Sequence, residues 1–498
     1  MQQGTRPSPA NPLLDFAGMP RFADIRPEHV EPAIRGLIDE NRALIERLTA
    51  DPAAPTWDGF VSPMDEAGER LGRAWGVVGH LHSVFDVPEW REAYNAMLPE
   101  ISRFYAEVGQ NLALFEKYKA LHDSPEFATL SAVRQRILDH ALRDFRLSGA
   151  ELPDEQKPRF QAIQEEQSQL AAKFSENLLD ATNAHAEWIS DEAAQLGGLS
   201  GIPEDARQAA RAAAEAEGKP GWKFTLQMPS YLPVLQYADD RELRARMYRA
   251  YATRASELGN PELDNGPLIG RILALRHEEA RMLGYRSFAE VSLVPKMADT
   301  PEQVLGFLHD LAASAKPFAE KDLQELKAFA RAELGLDTLE PWDVAYASEK
   351  LREQRYAYSD QEVKQYFPEP KVLDGLFGVI RALYRVDILP DEAPSWDPDV
   401  RFFRIEKDGA NGPELVGHFY LDLHARSTKR GGAWMDSARS RHRNTWGSDT
   451  PVAYLVCNFP GPVGEGTKKR PATFTHDDVL TLFHECGHGL HHLLTQVD

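Results

Sequence analysis

Three residues, His484, Glu485 and His488, stand in the order H-E-x-x-H within the stretch Thr481–Leu490. On a helix, residues four apart lie one above the other, so His484 and His488 can aim two imidazole nitrogens at one ion. That is half of a tetrahedral zinc site. Glu485 sits beside the first histidine, where its carboxylate can reach a water held by the metal, which is the place of a general base in zinc-assisted hydrolysis. The pattern encodes water activation, provided that the segment is helical.

The flanking residues supply that helix. Thr475-His476-Asp477-Asp478 has the form of a capping box with acidic residues in the first turn. Apolar Val479, Leu480, Phe483, Leu490, Leu493 and Leu494 follow at helical spacing. His491 and His492 do not complete the site, because seven residues of helix rise about 10 Å between His484 and His491; they read as supporting or packing residues. The extended form with a third histidine is absent, since His491 stands at its glycine position and Leu494 at its histidine position. In the other large class of such sites the third ligand is a glutamate on a later helix, and no Glu follows His488 up to Asp498. Cys486 points to another face of the helix and reads as a packing residue. A helix running to Asp498 would leave Leu490, Leu493 and Leu494 exposed to solvent, with zinc held weakly by two ligands.

A chain of 498 residues can bury a large core and hold two or more domain-sized units. Its 77 acidic against 56 basic residues give a formal charge of −21, which argues against nucleic acid and anionic membrane surfaces as partners. Residues 1–21 carry prolines and no uninterrupted apolar run, so neither a signal peptide nor a membrane-spanning helix is expected there. Two cysteines cannot make a disulfide framework, and the usage fits a reducing cytoplasm.

The elements that must position the three residues are mostly helical. From Pro32, Ile34, Leu37, Ile38, Ile45 and Leu48 follow helical spacing, and the pattern recurs across 60–145. A long helix is marked by Phe160, Ile163, Leu170, Phe174, Leu178 and Ala181, and a short one by Ala206–Glu217, closed by Gly218 and Pro220. Trp222–Met228 alternates like a strand, and Pro229–Pro233 turns the chain into further helices that dominate to about residue 385. Leu389–Asp399, rich in proline and acid, reads as a connection. Two more strands, Leu415–Leu423 and Val452–Phe459, precede the metal helix, the second apolar on both faces as a buried strand should be. A small sheet is therefore expected beside the site, in a mainly α chain divided into an N-terminal helical domain, 1–150, and a catalytic domain, 151–498.

The sequence also carries one competing motif. Gly461–Lys468 follows a strand and nearly matches a phosphate-binding loop, but its lysine comes one place late and the next helix begins too far on. A loop near the zinc cleft or a solvated turn is the better reading.

In the metal helix, the strand Pro451–Phe459 and the run Phe419–Met435, the chain resembles the M3 family of zinc oligopeptidases, the thimet oligopeptidase type. Asn11–Leu14, Pro229–Val234 and Met247–Ser256 extend the resemblance to essentially the whole chain. It implies a multi-helical clamshell around a deep central channel, with one zinc per chain at its floor and short unstructured peptides as substrates. By it His484 and His488 are zinc ligands and Glu485 the base. It also implies that the third ligand, a glutamate, and the groups that grip the substrate lie beyond residue 498, so that a non-catalytic, peptide-binding fragment is the alternative to an active endopeptidase. Family members often carry Phe at the position of Cys486. No G-x-M-E-N-like segment holds a free amino terminus, which favours cleavage within the peptide by a cytoplasmic monomer.

Overall fold

The computed structural model describes residues 11–444, 447–464 and 470–497. Half of the glycine-rich run that nearly matches a phosphate-binding loop, residues 465–468, lies outside them, as do residues 1–10 of the N-terminal stretch and Asp498. Helix dominates. Six helices open the fold: α1 (Val30–Ala50), α2 (Ser62–Val84), α3 (Pro88–Gly109), α4 (Leu112–His122), α5 (Ala132–Leu147) and α6 (Lys157–Asn183). Their boundaries have local causes. Asn111 and Ser131 accept hydrogen bonds from the backbone N–H groups of Leu114 and Arg134, capping α4 and α5. In α1 the residues picked by periodicity, Ile34, Leu37, Ile38, Ile45 and Leu48, are all buried.

A small antiparallel pair, β1 (Ala186–Ile189) and β2 (Trp222–Thr225), follows. The strand expected over Trp222–Met228 stops at Thr225, because Met228–Tyr237 is already a helix that accommodates Pro229 in its first turn and Pro233 inside. The expected turn at Pro229–Pro233 is thus helical. Further helices run to Glu369–Tyr384, among them Pro301–Leu334, which ends at left-handed Gly335 (φ 67°).

Seven strands come next: β3 (Val386–Asp391), β4 (Arg401–Gly409), β5 (Gly412–His424), β6 (Trp434–Arg439), β7 (His442–Asn444), β8 (Gly447–Asp449) and β9 (Val452–Phe459). Five of them form one sheet in the order β3-β4-β5-β9-β6, antiparallel except for the central β5–β9 pair. β7 and β8 pair antiparallel in a separate two-stranded sheet. Part of the segment expected as a connection, Leu389–Asp391, is therefore strand. The sheet belongs to two cores, one on each face. One face, with Phe402, Tyr420, Val452, Tyr454 and Val456, packs on residues of α1, α2 and α3. The other, with Phe403, Phe419, Leu421, Leu455 and Cys457, packs on the helix Glu369–Tyr384 and on the last helix, His476–Leu493. β9 is buried on both faces, as its unbroken apolar run requires.

Candidate metal centre

The last helix, hereafter the site helix, begins where the sequence places it. Thr475 Oγ1 accepts from the Asp478 N–H at 3.1 Å, and the Thr475 N–H donates to Asp478 Oδ2 at 2.8 Å, so two of the free donors of the first turn are satisfied reciprocally. Its inward face, Leu482, Cys486, Leu490 and Leu493, lies against the sheet. Gly489 makes the close approach possible, because a Cβ there would stand 2.9 Å from Leu455 Cδ2 on β9.

The far end differs from expectation. The helix stops at Leu493 and does not reach Asp498; Leu494 caps it, donating its N–H to the Leu490 carbonyl. Leu490 and Leu493 are buried and Leu494 is partly so, because β5 and β9 provide the cover that the sequence alone did not reveal. The exposed apolar side chains of this helix are instead Leu480 and Phe483, on the side away from the sheet.

The structure brings His484, Glu485 and His488 together. The two Nε2 atoms are 3.1 Å apart, with the rings nearly perpendicular at 85°. An ion about 2.05 Å from each nitrogen would be bound at an N–metal–N angle of roughly 98°, close to the tetrahedral value, so the pair fits zinc. Both histidines are exposed, whereas Glu485 is 7% exposed. Among the described residues no group of three or more His, Cys, Asp or Glu could hold a metal ion. Cys486 is buried at 4% exposure, and burial pushes its thiol up to about 12, which leaves it protonated and suits packing. His492 reaches the Arg439 carbonyl at 3.0 Å, tying the site helix to the end of β6.

These residues line a cleft of about 900 Å³, within the size range of small-ligand sites. Its opposite wall is β6 and the residues after it, including Trp434, Asp436, Ser437 and Arg441. Among the described residues β6 is an outer strand of the sheet, paired with β9 and with no second strand, so one row of its backbone N–H and C=O groups has no ladder partner there. Sequence reasoning missed this wall. The signal was present in Gly431-Gly-Ala-Trp-Met435, but a six-residue edge strand with Asp and Arg in it does not alternate cleanly.

With this geometry in hand, comparison with known proteins is direct. A model of "Peptidase family M3" matches residues 234–498, and one of "Neurolysin/Thimet oligopeptidase, N-terminal domain" matches residues 34–157. Oligopeptidase A of Haemophilus influenzae is 46% identical over 495 residues, which cover 99% of this chain and 71% of that protein. Oligopeptidase A of Escherichia coli is also 46% identical, over 98% of this chain and 71% of its own length. Dipeptidyl carboxypeptidase of Salmonella typhimurium is 31% identical over 97% and 70%.

Proposed function

Because the chain belongs to peptidase family M3 and is therefore a metallopeptidase, we propose that its cleft hydrolyses short, unstructured peptides at internal bonds with one zinc ion held by His484 and His488. The observation that carries this reading is the 3.1 Å convergence of the two Nε2 atoms beside a buried carboxylate in a cleft. Zinc bound there would act as a Lewis acid on the scissile carbonyl and lower the pKa of a coordinated water. Glu485 takes the proton of the attacking water and passes it to the departing amine. The free edge of β6 aligns an extended peptide by backbone hydrogen bonds, while its side chains and those of the site helix meet alternate residues of the substrate. By family resemblance the third ligand would be a glutamate.

The second reading is that residues 1–498 bind peptide without cleaving it. We further take residues 1–150 as an N-terminal helical unit and 151–498 as the catalytic unit, and place the protein in the cytoplasm as a monomer. No helix among the described residues is long and apolar enough to cross a membrane.

One experiment tests the main reading: metal content and cleavage of an internally quenched octapeptide before and after chelation, then on zinc return. Loss and recovery of both together is expected. Cleavage that survives complete metal removal would rule out the zinc assignment, and zinc uptake without cleavage would favour the second reading.

A further inference from the structure

The run Phe419–Met435 contributes β6 to the cleft, but its buried charged residues have no part in the chemistry above. Asp422, at 1% exposure, accepts from four groups: Lys429 Nζ at 2.8 Å and Arg426 Nη1 at 2.8 Å on Oδ1, Arg426 Nη2 at 2.6 Å and Trp396 Nε1 at 3.0 Å on Oδ2. The Lys429 side chain is wholly buried, and its ammonium also donates to the backbone carbonyls of Asp422 (3.1 Å) and His424 (2.9 Å). All three of its hydrogens are used, and the chain from 422 to 429 is drawn into a knot.

That knot is fastened to three separate elements. Backbone Arg430 N–H donates to the Ser83 carbonyl at 2.9 Å and Arg426 Nη2 to the Val84 carbonyl at 3.4 Å, so the loop satisfies carbonyls in the last turn of α2. Asp86 N–H donates to the Thr428 carbonyl, and Asn183, the last residue of α6, donates through Nδ2 to the Ser427 carbonyl at 2.7 Å. On the other side, Asn458 of β9 donates to the carbonyls of Arg430 (2.9 Å) and Gly432 (2.7 Å). The chain then turns at left-handed Gly432 (φ 97°) and enters β6, where the Arg430 guanidinium lies 4.4 Å over the Trp434 ring.

We propose that Lys429, with Asp422 and Arg426, is a positioning residue for peptide binding: it fixes the loop from Ala425 to Ala433, and through it the placement of β6 opposite His484 and His488. The seating of α2 and α6 on that loop is thereby coupled to affinity in the cleft. The proposal rests on the reading that the cleft takes peptide along β6. Removing the Lys429 ammonium alone leaves Asp422 Oδ1 and the buried carbonyls of Asp422 and His424 without this donor, so the loop loses the contacts that fix its path as well as an ion pair.

The test uses K429M in the full chain, in an E485Q background so that a labelled octapeptide binds without turnover. Three quantities are measured: peptide Kd, zinc content, and hydrogen exchange in 425–439 and in the site helix. The expected result is at least a tenfold weaker Kd and at least tenfold faster exchange confined to 425–439, with zinc content and site-helix exchange unchanged. Unchanged Kd and unchanged exchange in 425–439 would overturn the proposal, and so would exchange that quickens uniformly over the chain with Kd intact. Should K429M fail to fold, N458A removes two fastenings of the same loop without touching the buried charges, and the same pattern is expected from it. If the E485Q protein binds no peptide at all, the peptide reading fails, while exchange in 425–439 still decides whether Lys429 holds β6.

Discussion

At the scale of single residues, the chemistry was legible in the sequence because it is local. His484, Glu485 and His488 need only one helix to meet, and Thr475 and Asp478 announce that helix. Replacing His484 or His488 with Ala should abolish stoichiometric zinc, as measured by metal analysis after dialysis, because one imidazole cannot hold the ion against water. E485Q should retain zinc and lose about 10²- to 10⁴-fold in kcat, the usual range for removal of a general base; near-normal turnover would remove Glu485 from the mechanism. His80 was not legible, because its environment comes from elements some 300 residues away. It stacks on Tyr454 at 3.7 Å, is buried where α2 meets the sheet, and among the described residues has no hydrogen-bond partner on either ring nitrogen. Burial pushes it down to about 3, against an ordinary value of 6.5, with Asp422 opposing and Lys429 and Arg426 adding to the shift. Between those two values the unfolded chain binds a proton that the folded chain refuses, so stability is full above about pH 6.5 and falls by roughly 1.4 kcal/mol per unit as pH drops through the window. Urea midpoints from pH 4 to 7 should show a shallower fall in H80F than in the native protein; equal slopes would place the acid sensitivity elsewhere.

At the scale of elements, α1, with one clean apolar stripe, and the doubly buried strand β9 could be read directly, whereas the stripe on α6 is only partly inside: Phe160 and Ile163 are buried, Leu178 is exposed, and Glu176 and Asn177 take buried places. Strands β3, β4 and β6 could not be read directly. β3 contains Pro390, and β4 carries Arg404, Glu406 and Lys407 on a half-buried surface, so neither alternates as a free-standing pattern would. The cover over Leu490 and Leu493 was also illegible, since it depends on how closely the site helix meets β9. Two glycines test that contact. Gly487 has open space where a Cβ would go, so G487A should gain up to about 1 kcal/mol from helix propensity. At Gly489 the added methyl meets Leu455, and overpacking of about 1 to 3 kcal/mol should outweigh the same gain. Thermal midpoints should therefore move in opposite directions, and a G489A protein as stable as G487A would mean that helix and strand are less tightly engaged than described.

At the scale of the whole molecule, α1, α2 and α3 share one core with β4, β5 and β9, although about 300 residues separate Phe104 from Val400. A fragment of residues 1–150 should accordingly keep much of its helix by circular dichroism yet bind a hydrophobic dye strongly and unfold without a sharp transition. A cooperative, dye-free fragment would show that the packing of α4 and α5 suffices without the sheet. The shared sheet also sets a timetable for the ribosome. At about 5 to 20 residues per second, the apolar face of α1–α3 is synthesised roughly 15 to 60 s before the strands that cover it leave the exit tunnel. For that interval the nascent chain carries an unsatisfied binding surface in a crowded cell, and its yield should depend on holding chaperones and translation speed far more than the stability of the finished fold would suggest.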